Sequence, residues 1–151
     1  MTLNNFQFNT TPGLRFGSGE AKNSCKEIFN KLGSRILFIT DKGLMSLGLT
    51  KPTIQELKTM GEVEVFDGVE ADPSKKTLLT AIEIGKKFKA TGVIGFGGGS
   101  SMDVAKLTAL ILGSNEDLEK AWGVANAKGP RLPLVLVPTT AGTGSEVTPV
   151  S

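Results

Sequence analysis

Neither histidine nor tyrosine occurs among the 151 residues, and there is a single cysteine and a single tryptophan. Without histidine, Ser-His-Asp and Cys-His catalysis cannot be assembled from this chain. His-containing zinc sites are excluded for the same reason. Any chemistry must therefore be carried by a cofactor, or completed by groups from elsewhere. Cys25 has no internal partner for a disulfide, which fits a reducing compartment and leads us to expect a cytoplasmic protein. Charge of one sign is also scarce: 17 Lys+Arg against 15 Asp+Glu leaves +2. That gives no electrostatic footprint for nucleic acid or an anionic membrane. No apolar run exceeds four residues, so no segment is expected to span a bilayer. The opening Met1-Thr2-Leu3-Asn4-Asn5 has neither a basic nor an apolar stretch of the kind a signal peptide needs. Disorder is excluded by a 39% apolar content at low net charge. Collagen is excluded because the 19 glycines have no three-residue period.

What is present is an alternation of short apolar runs with helical periods. Phe6–Phe8 reads as a first strand. A helix is expected from about Glu20 to Leu32, with Ala21, Cys25, Ile28, Phe29 and Leu32 as its inner stripe and Gly33 as its terminator. Ile36–Ile39 is too continuously apolar to alternate faces and reads as a buried strand ending at Thr40-Asp41. Thr50-Lys51-Pro52 has the form of a helix start, with the helix stopping near Gly61. Val63–Phe66 is the next strand, and a long helix follows Pro73-Ser74 to about Lys89. Gly92–Phe96 is again a buried strand, followed by a helix from about Ser100 to Leu112, and Leu134–Val137 is the last strand. Strand–helix alternation of this kind implies an α/β fold: a Rossmann-like open parallel sheet with helices on both faces, one domain across residues 1–151.

Ligands of such sheets bind beyond the C-terminal ends of the strands. Three stretches lie there. In Gly95-Phe96-Gly97-Gly98-Gly99-Ser100-Ser101-Met102-Asp103, glycines let the main chain approach an anion, and the following helix offers free N–H groups and its positive dipole end. A pyrophosphate suits that turn, although it matches neither the G-x-G-x-x-G nor the Walker pattern. A tight turn whose glycines serve packing is the competing reading. Asp41 either accepts hydrogen bonds from ribose hydroxyls or caps a short helix through Leu44 and Leu47. Asp72, before Pro73, carries the same two readings and leans to the cap. Thr139-Thr140-Ala141-Gly142-Thr143-Gly144-Ser145-Glu146 offers hydroxyls that could clasp a phosphate, a nicotinamide amide or a substrate oxygen, or a polar turn held by its own side chains. Lys106 and Lys120 read as solvated helix charges, Trp122 as a core anchor, and Cys25 as a small buried hydrophobe.

At these stretches the sequence resembles the iron-containing (group III) alcohol dehydrogenases. The matching pieces are Phe16-Gly17-Ser18-Gly19, the strand ending in Thr40-Asp41-Lys42-Gly43-Leu44, the loop before Pro73, the run Gly95–Lys106 and the run Val137–Thr148. The resemblance implies a Rossmann-like domain binding NAD or NADP. Gly98, Gly99, Ser100, Ser101, Met102 and Asp103 would surround the pyrophosphate, and Thr139, Thr140, Thr143 and Thr148 would line the nicotinamide end. Asp41 would stand at the adenine ribose, where an acidic residue goes with NAD rather than NADP. Asp72 departs from the pattern, since Asn is the usual residue before that proline. The family's all-helical second half supplies an Asp and three His ligands to Fe²⁺, sometimes Zn²⁺, and no residue of this chain matches that half.

The expectation is therefore the nucleotide-binding part of an NAD-linked, metal-dependent dehydrogenase acting on a small alcohol, aldehyde or ketone, inactive by itself. Bare apolar surface left by a missing partner domain would invite a homo-oligomer. The competing expectations are a non-catalytic nucleotide-binding module and a relative of the glycerol dehydrogenases.

Overall fold

The computed structural model describes residues 11–118 and 129–148. The strand read at Phe6–Phe8, the residues Lys120 and Trp122, and positions 149–151 lie outside the described residues.

Four parallel strands form one sheet in the order β2-β1-β3-β4: β1 (Arg35–Ile39), β2 (Glu62–Phe66), β3 (Gly92–Gly97) and β4 (Leu134–Pro138). The register pairs Ile36 with Val63 on one side and with Gly92 on the other, and Ile94 with Val135. Among the described residues, six helices connect or flank the strands: α1 (Glu20–Asn23), α2 (Cys25–Leu32), α3 (Lys42–Ser46), α4 (Lys51–Lys58), α5 (Lys75–Phe88) and α6 (Gly99–Ser114).

The two faces of β1 explain why its apolar run has no polar gaps. Ile36 and Phe38 point into a layer with Cys25, Ile28 and Leu32 of α2, Ile54 and Leu57 of α4, and Ile94 and Phe96 of β3. Leu37 and Ile39 point the other way, against Leu78, Ala81 and Ile82 of α5 and Val104, Ala105 and Ala109 of α6. A strand covered on both faces has no solvent side to mark with polar residues. The Phe38 and Phe96 rings stack across β1 and β3 with centroids 5.6 Å apart. On the edge strand β2 the pattern changes: Glu62 and Glu64 are exposed between the half-buried Val63 and Val65.

The expected helix from Glu20 to Leu32 is two helices. Ser24 leaves the helical region at φ −86°, ψ 2°, ending α1 and starting α2. Its hydroxyl donates to Glu20 Oε2 at 2.8 Å. A serine whose side chain bonds locally competes with the regular ladder. Gly33 ends α2 at φ 84°, as expected.

Two further expectations are corrected. Asp72 does not cap α5: that position belongs to Ser74, whose Oγ accepts from the Thr77 N–H at 3.2 Å. Asp72 is an exposed loop residue at φ 54°. Lys106 is not a solvated charge. Its side chain is 9% exposed and its Nζ donates to Asp103 Oδ1 at 3.1 Å. The cause is that α6 is buried on most of its circumference, so its one lysine must be paired to be tolerated.

The connections create a switch point. After β1 the chain turns to the layer containing α4, whereas after β3 it turns to the layer containing α6. Adjacent strands whose C-terminal loops diverge leave a crevice between them, the position where open α/β sheets take ligands.

Candidate functional site

A cleft of about 750 Å³ occupies that crevice, within the size range of small-molecule sites. Its first wall is the end of β1 with the start of α3: Asp41, Lys42, Gly43, Leu44 and the exposed Leu47. The second is the loop after β2, from Asp67 to Ala71. The third is the turn after β3, Gly98-Gly99-Ser100-Ser101, with Thr139 and Thr140 from the end of β4.

The turn after β3 joins the strand to α6 through three successive glycines, Gly97, Gly98 and Gly99. Gly97 adopts φ 155°, and a Cβ on it would come within 2.6 Å of Ser101 Oγ, so only glycine fits there. Gly98 and Gly99 differ. A Cβ on Gly98 would meet the Thr140 side chain, Oγ1 at 3.5 Å and Cγ2 at 3.6 Å. On Gly99 it would come within 3.2 Å of Ser145 Oγ and 3.5 Å of Thr143. Gly98 is thus the less crowded of the two, with only the Thr140 side chain in ordinary contact distance. α6 starts at this turn, with Gly98 as its N-cap and no side chain capping it. The Met102 N–H donates to the Gly98 carbonyl at 3.1 Å. The amides before it, Gly99 to Ser101, precede the first full helical turn and have no intrahelical acceptor. Free amides, a helix dipole and uncovered glycines on one wall make an anion cradle.

Asp41 caps a helix and also stands on the cleft. Its Oδ1 accepts from the Leu44 N–H at 2.9 Å, capping α3, and the residue lines the cleft. Gly68 bridges it in antiparallel fashion, which fastens the loop after β2 beside it. Of the other expected site residues, Gly98, Gly99, Ser100, Ser101, Thr139 and Thr140 are brought together here. Thr139 is held by its N–H donating to the Gly97 carbonyl at 2.9 Å. Met102 is fully buried and does not reach the cleft. Asp103 is engaged with Lys106 one turn into α6. Thr143 stands against Gly99, its Oγ1 accepting from the Ser145 N–H at 3.4 Å. Thr148 is exposed, its N–H donating to the Gly144 carbonyl at 3.1 Å. Asp72 is not part of the lining.

Two cleft carboxylates escaped sequence reasoning, Asp67 and Glu70. The Glu70 side chain is held by two donors, Thr77 Oγ1 at 2.5 Å and the Ser74 N–H at 3.1 Å. These hydrogen bonds, the Thr77 one foremost, lower its pKa below the ordinary carboxylate value. A glutamate three to seven residues before a Ser-x-x-Thr helix start is the signal that could have found it. Lys42 is the lysine in the lining.

Cys25 behaves as the sequence suggested. It is 1% exposed, and its Sγ–H points to the carbonyls of Ala21 and Thr53, at 3.4 and 3.7 Å. Burial, with Glu56 nearby, pushes its pKa from 9.0 up to about 11. Among the described residues no three of His, Cys, Asp or Glu stand close enough to hold a metal ion. With no histidine in the chain, the residues present do not fit the iron or zinc shell that the resemblance implies. No described helix is long and apolar enough to cross a membrane.

The family model for iron-containing alcohol dehydrogenase matches residues 12–151. The chain belongs to that family. Among its curated relatives, a sulfoacetaldehyde reductase of Bilophila wadsworthia is 35% identical over 144 residues, 94% of this chain and 37% of the relative. A choline dehydrogenase of Bacillus subtilis is 39% identical over 139 residues, 89% of this chain and 35% of that protein. Among solved iron-containing alcohol dehydrogenase folds, a 1,3-propanediol oxidoreductase superposes with a TM-score of 0.88 at 30% identity, covering 96% of this chain and 38% of that one. A sulfoacetaldehyde reductase from Bifidobacterium kashiwanohense, solved in complex with NAD⁺, gives 0.79 at 32% identity, covering 95% and 38%. The chain thus spans a little over a third of the iron-containing alcohol dehydrogenases it matches.

Proposed function

We propose that this chain is a single dinucleotide-binding domain, and that it serves an NAD-linked, metal-dependent alcohol dehydrogenase acting on a small alcohol or its carbonyl product. The observation that carries the reading is the glycine turn on the cleft lining at the start of α6, which no side chain caps. A diphosphate fits it, because free amides and a helix dipole favour negative charge where no Cβ intrudes. Membership of the iron-containing family supports the reaction class. The fold's similarity to a reductase solved with NAD⁺ supports the cofactor.

In this reading the diphosphate lies along Gly98, Gly99, Ser100 and Ser101, and Asp41 accepts hydrogen bonds from the adenosine ribose. Thr139 and Thr140 orient the nicotinamide end, with Thr143 holding the neighbouring loop. Met102 acts from beneath through packing, and Asp103 acts through its pair with Lys106. The bound nicotinamide supplies hydride acceptance or donation. This chain's own residues bind and orient it. No residue here takes a metal role, and hydride transfer needs a metal and substrate pocket from outside this chain. We therefore expect the 151-residue chain to bind nucleotide and to turn nothing over.

Calorimetric titration with ADP-ribose and with NADH tests the reading. Saturable binding by the wild type, reduced at least tenfold in Gly99→Val, is the expected result, since valine branches would enter the space shared with Ser145 and Thr143. No heat from either ligand at millimolar concentration would overturn it.

A further inference from the structure

The acidic side of the cleft goes beyond Asp41. The loop after β2 runs beside Asp41 through the Gly68 bridge and the Val69 N–H that donates to the Thr40 carbonyl at 3.4 Å. It carries Glu70 on the cleft lining two residues further on. Glu70 is exposed, yet its carboxylate is not free to wander. Its Oε1 takes hydrogen bonds from Thr77 and from the Ser74 amide, both at the start of α5. Ser74 in turn is fixed by its own cap on Thr77. An exposed glutamate ordinarily samples many rotamers, so a surface charge of that kind selects little. A glutamate anchored through one oxygen keeps its charge, and its second oxygen, in a defined place.

On the reading that this cleft holds a dinucleotide, we propose that Glu70 is a specificity-determining residue beside Asp41. It reads the 2′ position of the adenosine ribose and makes the cleft a site for dinucleotides with a free 2′-hydroxyl. Two fixed carboxylates can accept hydrogen bonds from the ribose hydroxyls. A 2′-phosphate brought to this side of the cleft meets two like charges, with Asp67 a third on the loop that carries Glu70. The lysine of the lining, Lys42, is the first residue of α3, directly after Asp41, and is outnumbered. Glu70 remains ionised across the working pH range, because the hydrogen bonds that anchor it also lower its pKa.

The test is calorimetry on the 151-residue chain with ADP-ribose and 2′-phospho-ADP-ribose, comparing the ratio of the two affinities among variants. Glu70→Gln keeps the acceptor for Thr77 and Ser74 while removing the charge. It should raise the relative affinity for the 2′-phosphate about tenfold, and Glu70→Lys should raise it further still. Glu64→Gln, which removes an equal charge from the exposed edge of β2, should move the ratio less than about twofold, as expected for a screened distant charge. The Glu70 effect should also shrink in about 1 M salt, where screening is short-ranged. An unchanged ratio in both Glu70 variants, with ADP-ribose still bound by the wild type, would remove Glu70 as a reader and leave the dinucleotide reading standing. A Glu64→Gln shift as large as that of Glu70→Gln would reduce the effect to net charge and overturn the proposal. Absence of binding of either ligand to the wild type would end both.

Discussion

Single residues in this chain hold two tasks at once, and that duality shapes what substitution does. Asp41 caps α3 through Leu44 and also faces the cleft. Glycine is tolerated at an N-cap at a cost of only a few tenths of a kcal/mol. Asp41→Gly should therefore leave the melting temperature nearly unchanged while raising the affinity for 2′-phospho-ADP-ribose relative to ADP-ribose by about tenfold. An unmoved ratio, read by calorimetry, would take Asp41 out of the ribose site. Cys25 offers a cleaner measurement. Its folded pKa of about 11 lies above the unfolded value of 9.0. The raised value means that burying the neutral thiol adds stability that is complete below pH 9 and is lost as pH climbs from 9 towards 11. No tyrosine is present to absorb in the alkaline ultraviolet. The thiolate band can thus be followed directly, and its midpoint should fall near pH 11 in the folded protein and near 9 in urea. A folded midpoint near 9 would contradict the burial argument.

At the scale of elements, the start of α5 is the most consequential joint outside the glycine turn. Ser74 caps the helix, and its amide and its neighbour Thr77 both hold Glu70. Ser74→Ala should cost about 1 kcal/mol, the ordinary value of a lost cap, or a fall of about 2–4 °C in melting temperature for a domain of this size. Urea denaturation should show a lower midpoint with an unchanged slope, because the exposed surface is the same. This joint was only half legible in the sequence. Pro73-Ser74 announces the helix, while Asp72 before the proline suggests a cap that Ser74 in fact supplies. Asp72 instead occupies the left-handed region at φ 54°, a conformation that Asp and Asn tolerate better than most residues. This gives a backbone reason for Asp to stand where the family usually has Asn. The strands were readable because β1 and β3 are buried on both faces and therefore continuously apolar. The break at Ser24 was hidden, since the apolar stripe runs through it without losing phase. The burial of Lys106 is invisible in the sequence, because charge pattern carries no record of what packs around a helix. In the cleft, the glycine turn, Asp41 and the paired threonines could be found from strand ends alone. Glu70 could not, because its place depends on a loop folding back beside Asp41.

At the scale of the whole molecule, the described residues form two apolar layers on either side of a sheet, with the cleft at the edge where loops from β1, β2, β3 and β4 meet. A ligand seated there touches elements from both layers at once. Its binding energy should appear in the global unfolding transition rather than in local ordering of one loop. With ADP-ribose at about a hundred times its dissociation constant, linkage gives about 2.7 kcal/mol. For a chain of this size that corresponds to a rise of about 5–10 °C in melting temperature. Adenosine, which can reach the Asp41 and Glu70 walls but carries no diphosphate, should raise it less at equal concentration. The difference between the two ligands reports the turn at Gly98, and Gly99→Val should erase most of it while leaving the adenosine response in place. Fe²⁺ or Zn²⁺ should leave the melting temperature where it is, since the chain has no histidine and Cys25 is sealed in the core. Scanning calorimetry of the wild type and Gly99→Val with each ligand separates these terms. Equal shifts for adenosine and ADP-ribose in the wild type would mean that the turn at the head of α6 holds no diphosphate, whatever else the cleft binds.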